Sequence, residues 1–325
     1  MARNYDVITI GTARLDAFMT INDPKKELHA DDEHHGICFR KGAKIIVDHF
    51  DFCMGGNAAN VAVGLNRLGL KATLVAEIGD DEFSIKIRNM LAHENIERLF
   101  VIQTKGGSSN MSVIINFQDD RTIFAEERVQ AHNFNLDEVE SKYIYLTSLG
   151  REWEKAYKMS LEFANKNNSK IIFNPGSLQL IEGKQIVHQI LKKTDILFIN
   201  KEEGEMLLSN HYSKKVDNSE NYIKNLCEEI QKLGPRIVII TNGKHGSYAL
   251  TESGVFYEEG LIDSKVVERT GAGDAYASGF LSAIIYGENI EKAMKWGTHN
   301  AGSVVEQVGA QAGLLTKEEM GEKVK

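Results

Sequence analysis

The stretch Glu268–Phe280, ERTGAGDAYASGF, sets an anion site beside an acid. Gly271, Ala272 and Gly273 leave the backbone N–H groups of a predicted helix start uncovered. Those amides, with the positive end of the helix dipole, attract an anion. Asp274 in the same turn should repel that anion unless its carboxylate has a chemical task there. The competing reading is a Gly-rich helix start with Asp274 as a dipole-favoured first-turn acid.

A second cluster lies in FCMGGNAANVAVGLNRLGLKATLVAEIGDD, residues 52–81. Gly55 and Gly56 allow a backbone to approach a ligand closely. Asn57 and Asn60, three apart at a helix start, face the same way and can hydrogen-bond hydroxyl groups. The plainer reading makes Asn57 an N-cap after a Gly-Gly turn. Asp16, in GTARLDAF, is either a turn former or a binding acid. In INKEEGEML (199–207), Asn200 and Glu203 sit at a strand-to-helix junction beside Glu202 and Glu205. They are either solvated first-turn acids or organisers of the water around Mg²⁺. ITNGKHGSYAL (240–250) is a plain hairpin or a nucleotide-contacting loop.

Several signals are missing. No G-x-x-x-x-G-K-[ST] loop occurs, and no G-x-G-x-x-G follows the first strand. Any phosphate site is therefore built another way. His34, His35, Cys38, His49 and Cys53 match no common closed zinc spacing, and a polar loop is the preferred reading.

The elements that must position these residues alternate. Apolar β-rich runs at 6–11, 71–79, 142–150, 170–176, 195–200 and 236–243 are separated by helical stretches. The helices are predicted at about 57–69, 81–93, 151–167, 202–209, 219–233, 273–286 and 289–307. Runs nearly continuous in Val, Ile, Leu and Phe suit parallel strands covered on both faces. The expectation is one α/β domain over 1–325, doubly wound and mostly parallel, with helices on both faces. Two segments break the rhythm: 14–54, and 108–128 with a hairpin turning at Asp119–Asp120. They predict a small β-rich lid on the core, of the kind that closes over substrates.

The bulk numbers agree. The chain has 325 residues, 42% hydrophobic and 26% charged, and a net charge of −8. That balance argues against a general nucleic-acid binder and against a polybasic membrane patch. No window approaches the ~20 apolar residues of a membrane helix, and the start lacks a signal-peptide core. Three cysteines, odd in number, fit a reducing cytoplasm rather than a disulfide framework.

Together IGTARLD, GGNAANVAVGLNRLG, NKEEGEML, TNGKHG, TGAGDAYASGF and HNAGSV resemble, in order and rough spacing, the ribokinase-like (PfkB) family of carbohydrate and nucleoside kinases. The resemblance spans nearly the whole chain. It implies transfer of the γ-phosphate of ATP, with Mg²⁺, to a hydroxyl of a sugar or sugar phosphate. Asp274 would be the base and the amides of Gly271, Ala272 and Gly273 the anion hole. Asp16, Gly55, Gly56 and Asn60, with Asn57 in the same loop, would surround the acceptor. Asn200, Glu203, Thr241, Gly243, Gly246 and Asn300 would serve the nucleotide.

Three departures from the family pattern stand out. Glu268-Arg269-Thr270 replaces a common Asp-Thr-Thr, which counts against the family's monovalent-cation (K⁺) site. Arg14 stands where ribokinases carry a small polar sugar ligand. FNPGS (173–177) replaces Asp-Pro-Asn. The last two weigh against ribose as acceptor. The alternatives are a nucleoside kinase, with Phe18, Phe39, Phe52 and Phe117 as candidate walls for a base, and a catalytically idle sugar or nucleotide binder. Relatives that pair through the lid make a homodimer a further expectation.

Overall fold

The structure, a computed structural model, describes residues 3–21, 28–31, 36–117, 120–126, 128, 130–208 and 219–325. Its first half runs β1 (Arg3–Ile10), β2 (Arg14–Ile21), β3 (Leu28–Asp31), β4 (Gly36–Phe39), β5 (His49–Gly55), α1 (Asn57–Arg67), β6 (Ala72–Ile78), α2 (Glu82–His93), β7 (Val101–Gln103), β8 (Met111–Phe117), β9 (Asp120–Ala125) and β10 (Val139–Thr147). There follow α3 (Glu154–Asn167), β11 (Lys170–Asn174), α4 (Ser177–Glu182), α5 (Gln185–Leu191), β12 (Thr194–Asn200), α6 (Lys201–Leu207) and α7 (Glu220–Gln231). The chain ends with β13 (Ile237–Thr241), β14 (Ser247–Leu250), β15 (Phe256–Glu259), α8 (Ala272–Ile285), α9 (Ile290–Val304) and α10 (Lys317–Lys323).

Nine strands form the main sheet in the order β15-β14-β13-β12-β11-β10-β1-β6-β7. From β13 to β7 every pairing is parallel; β14 and β15 add an antiparallel edge. The six predicted apolar runs are all strands of this sheet. Adjacent residues of one strand enter different cores. Ile171 and Phe173 pack with the α3 to α7 side, whereas Ile172 packs with the α8 and α9 side. That two-sided burial is why these strands read as continuous apolar runs.

The segments that broke the rhythm form a separate four-stranded sheet, β5-β2-β8-β9, beside a small β3-β4 hairpin. Residues 118–119 of the predicted β8-β9 turn lie outside the described residues, but Phe117 and Asp120 pair across it. One face of the small sheet carries Ile21, Ile115 and Phe117 against Ile37, Ile45 and Val47. The other carries Asp16, Ser112 and Cys53, directly opposite one another in the ladder.

Helices α4, α5 and α10 and strands β7 and β15 escape the sequence reading. They span seven residues or fewer, too short to stand without packing. Only α10 carried a local signal, the capping box from Thr316 to Glu319. The expectation that Asn57 caps α1 is corrected. The N-cap is Gly56, at φ 97, and it makes no side-chain cap, so Asn57 is the first helical residue. Among the described residues no helix is long and apolar enough to cross a membrane.

Candidate active site

The parallel strands end side by side. Thr147 pairs with Asn174, and Asn200 with Thr241, across neighbouring strand ends. Thr147 Oγ1 donates to Asn174 Oδ1 at 3.3 Å, and Asn174 Nδ2 to the Phe198 carbonyl at 2.8 Å. Ligands of open α/β sheets collect at such carboxyl ends. Helix α8 begins here. Its N-cap Gly271 has φ +84, and a Cβ there would collide with Ala310. The backbone turns sharply enough that only glycine fits well. Gly273 faces open space.

Of the three predicted anion-hole amides, Ala272 N–H is already engaged, closing a turn on the Arg269 carbonyl at 3.3 Å. Asp274 sits in the first turn and is 8% exposed. Asn60 Nδ2 donates to its Oδ2 at 2.9 Å, and Gln311 Nε2 donates to Asn60 Oδ1 at 2.8 Å. A relay thus runs from the 305–316 loop through α1 to α8. Burial lifts the Asp274 carboxyl from 3.8 to about 7. The Asn60 hydrogen bond opposes that rise, and the charges of Glu203 and Asp16 add to it.

Asp16 lies on β2, not in a turn, and is 5% exposed. Burial raises it to about 6, the Arg14 charge and a Ser112 hydrogen bond hold it down, and Glu268 pushes it up. Gly55 follows from this placement. It pairs with Arg14 across β2 and β5, and a Cβ there would run into the Asp16 carboxylate.

Glu203 is not a solvated acid. It is half-buried, its Oε2 accepts the Asn200 N–H at 3.1 Å, and Asn200 Oδ1 accepts the Glu203 N–H at 2.8 Å. This reciprocal capping box fixes both at the end of β12. Burial raises its carboxyl, against the pull of the Asn200 N–H, and Glu202 adds to the rise. Thr241 is half-buried at the end of β13. A single 3₁₀ turn, Gly243–His245, leads to Gly246, and the strand–turn–strand reading of 240–250 holds.

Asn300 is fully buried on α9, and its amide donates to the Ala275 carbonyl at 2.8 Å and to Ser278 Oγ at 3.1 Å. Its Oδ1 accepts the Leu315 N–H at 2.9 Å. With both ends of its amide engaged, it ties α9 to α8. Of the five residues weighed for zinc, three are described. Cys38 and Cys53 are free, and His49 meets Asp51 at 3.1 Å. Among the described residues no group of three His, Cys, Asp or Glu could hold a metal. His34 and His35 lie outside the described residues.

Residues 26–317 match the pfkB family of carbohydrate kinases. The chain belongs to this family. It is 26% identical over 336 residues to the 5-dehydro-2-deoxygluconokinase of Halalkalibacterium halodurans, covering 98% of this chain and 94% of that one. Among solved structures it is similar in fold to an Arabidopsis thaliana ribokinase complexed with ribose and ATP. There the TM-score is 0.78 at 18% identity, over 100% of this chain and 99% of that one. A Methanocaldococcus jannaschii nucleoside kinase gives 0.72 at 23% identity, over 98% of each chain. PfkB kinases are phosphotransferases that act on a hydroxyl, and the fold is ribokinase-like as the motifs implied.

Several residues around the candidate site escaped the sequence reading. Gln311 had no readable signal, because its loop meets Asn60 only in the fold. Ser112 and Arg121 lie on the predicted 108–128 hairpin, but the sequence does not reveal that β8 pairs with β2 or that Arg121 meets Glu268. Arg121 Nε lies 3.3 Å from Glu268 Oε1, on a carboxylate 1% exposed. Thr270 adds its N–H at 2.8 Å and its hydroxyl at 2.7 Å to the same oxygen. An arginine of the small sheet is thereby tied to the segment that precedes the Gly271 turn. Tyr145 on β10 is buried near Asp274 and Glu203, and its hydroxyl has no hydrogen-bond partner. Of the four phenylalanines, Phe18 and Phe117 are buried, and Phe52, paired with Ala17, projects from the face away from Asp16. Phe39 is exposed on β4.

Proposed function

We propose that the protein transfers the γ-phosphate of ATP to a hydroxyl of a sugar-derived acceptor, with Asp274 as the base. The observation that carries this is the buried Asp274 carboxylate, oriented by Asn60, in the first turn of a helix whose start offers free amides. Its titration near 7 suits a base, because a catalytic group works best near the operating pH.

The acceptor lies between Asp16 and Asp274, with Gly55, Gly56, Asn57 and Asn60 beside it. Its hydroxyl proton passes to Asp274 Oδ as the oxygen attacks the γ-phosphorus. The bond from that phosphorus to the bridging oxygen breaks, and ADP leaves with the electron pair. The amides of Gly271 and Gly273 receive the transferring charge at once, and that of Ala272 joins once its turn opens. Asn200, Glu203, Thr241, Gly243 and Gly246 flank the nucleotide at the ends of β12 and β13. Glu203 fits a water-mediated Mg²⁺: one carboxylate oxygen is tied to the backbone, and the acid is half-buried among other acids that a cation would relieve. When bound, that ion neutralises charge on the β- and γ-phosphate oxygens.

The small sheet acts as a lid, and the Arg121–Glu268 contact supports this. Its outer face exposes Phe50 and Phe124, which supports a homodimer through the lid. Free cysteines agree with a cytoplasmic setting.

The test is Asp274→Asn. ADP release with a responsive acceptor falls by about 10²- to 10⁴-fold, while ATP binding, measured by calorimetry, persists. Turnover within a few-fold of the parent would sink the assignment. An idle binder would show no turnover in the parent.

A further inference from the structure

We propose that Arg67 is a positioning residue for the proton transfer: by pinning the 311–314 turn it keeps Gln311, Asn60 and Asp274 in their working arrangement. The inference rests on the kinase reading above and adds a residue two helical turns from Asn60.

Arg67 is the last residue of α1, seven after Asn60 and so two turns along the same helix. Both meet one loop. Leu314 N–H donates to the Gln311 carbonyl at 3.2 Å, closing a turn. Arg67 Nη1 donates to both carbonyls of that turn, Gln311 at 2.8 Å and Leu314 at 3.1 Å. The rest of the guanidinium is engaged as well. Its Nε and Nη2 donate to the two carboxylate oxygens of Glu94, the C-cap of α2, at 2.9 and 2.7 Å. This bidentate fork is directional, and it is partly shielded, with Arg67 26% and Glu94 16% exposed. Burial acts to raise the Glu94 carboxyl, but the Arg67 hydrogen bonds and charge, with a contribution from His93, hold it below its usual value. The pair therefore stays charged through neutral and mildly acidic pH. Beyond Glu94 and His93, the charge of Arg67 also reaches Glu319 on α10.

An arginine in the last turn of a helix ordinarily steadies that helix through its dipole and its last carbonyls. Arg67 bonds to no carbonyl of α1. Its donors go to Glu94 and to the loop, so the loop is what it fixes. The residue whose backbone it holds is the one whose side chain orients Asn60. Gln311 Nε2 donates to Asn60 Oδ1, and Asn60 Nδ2 donates to Asp274 Oδ2. One chain of hydrogen bonds thus runs from Glu94 through Arg67, Gln311 and Asn60 to Asp274. The adjacent Ala310 packs on Gly271, where a Cβ would come within 2.4 Å of the Ala310 Cβ. The loop therefore borders both the carboxylate and the glycine that opens the anion hole. Burial and the charges of Glu203 and Asp16 raise the Asp274 carboxyl, and the Asn60 donor opposes them. A turn released from Arg67 weakens that opposing donor, and the carboxyl rises further.

The test reads Asp274 directly. Full-length protein isotope-labelled at the aspartate carboxyl carbons is titrated by NMR, and the Asp274 resonance is assigned by its loss in Asp274→Asn. The expected result is a higher titration point in Arg67→Met than in the parent. Gln311→Met should give a similar rise, and the double variant no more than Gln311→Met alone, because both changes cut one chain. Arg67→Lys, a compact ammonium without the fork, should shift Asp274 less than Arg67→Met does. ADP release is followed in parallel with ATP, Mg²⁺ and the best acceptor among 5-dehydro-2-deoxygluconate, ribose and inosine. In Arg67→Met the acidic limb of kcat/KM should move to higher pH, so that activity falls several-fold near neutrality and recovers in alkali. Calorimetric melting and ADP binding verify that each variant is folded. Where Arg67→Met does not fold, Glu94→Gln, which loosens the fork, carries the same test with a smaller shift. An Asp274 titration unchanged by these variants overturns the proposal, as do shifts that add in the double variant. A loss of activity uniform at every pH also overturns it and leaves Arg67 a stabilising residue. All three outcomes leave the kinase reading intact. Turnover in Asp274→Asn equal to the parent's removes that reading, and this inference with it.

Discussion

At residue 274 a carboxylate raised to about 7 is half ionised near neutral pH. In the proposed role of base Asp274 must be ionised to accept a proton, so activity should rise as pH climbs through that value. The acidic limb of kcat/KM should lie near 7, far above an ordinary aspartate, and a pH–rate profile checks it. Gln311 sets part of that value. By donating to Asn60 Oδ1 it turns the Asn60 amide so that Nδ2 faces Asp274. A donor aimed at the charged form favours that form. Gln311→Met frees the Asn60 amide to rotate, and the acidic limb should move to higher pH. Activity at pH 7 then falls several-fold and recovers towards pH 9. A uniform loss at every pH would show Gln311 to be only a packing residue. GAGD was visible in the chain, whereas Gln311 was not, since 251 positions separate it from Asn60.

At the scale of elements, strand β9 reaches the main body through Arg121 and Glu268. The carboxylate is almost wholly buried and its Oε2 has no hydrogen-bond partner, so its charge depends on Arg121 and Thr270. Removing Arg121, whose side chain is 28% exposed, leaves the buried Glu268 carboxylate only its Thr270 donors, at a cost below the roughly 3–5 kcal/mol of a fully buried pair. In Arg121→Ala that penalty should fall on the contact between lid and core. Amide hydrogen exchange should accelerate in β8 and β9, and KM for the acceptor should rise by about tenfold or more. Unchanged exchange in 111–125 would mean that the contact does not hold the small sheet in place. The elements themselves were legible to different degrees. Strands buried on both faces announced themselves through unbroken apolar runs. The helices α4 and α5 did not, because packing rather than local pattern holds them.

For the whole molecule, the same burial that tunes Asp274 weakens the fold. Its carboxyl titrates at 3.8 unfolded and about 7 folded. The charged form is thus penalised in the native state, by on the order of 4 kcal/mol. That penalty is complete above pH 7, shrinks as pH falls between 7 and 3.8, and is absent below. Asp274→Asn should therefore melt several degrees higher than the parent at pH 8. The difference should close as pH approaches 4, followed by calorimetry across that range. A variant less stable than the parent at pH 8 would mean that the carboxylate is better solvated than its burial indicates.

The chain by itself determined the α/β class, the mostly parallel character of its strong strands, the presence of a small β-rich accessory sheet and the turn that places Asp274 beside free amides. Those features are written in short-range patterns: apolar runs, glycine positions and the acid after them. Only the tertiary structure decided which polar residues face each other. It buried Asn300 with its amide fully spent, moved the α1 cap from Asn57 to Gly56, and brought Gln311, Arg121 and Ser112 to the site. Contacts between residues far apart in sequence arise from how sheet and helices pack, and no local pattern encodes them.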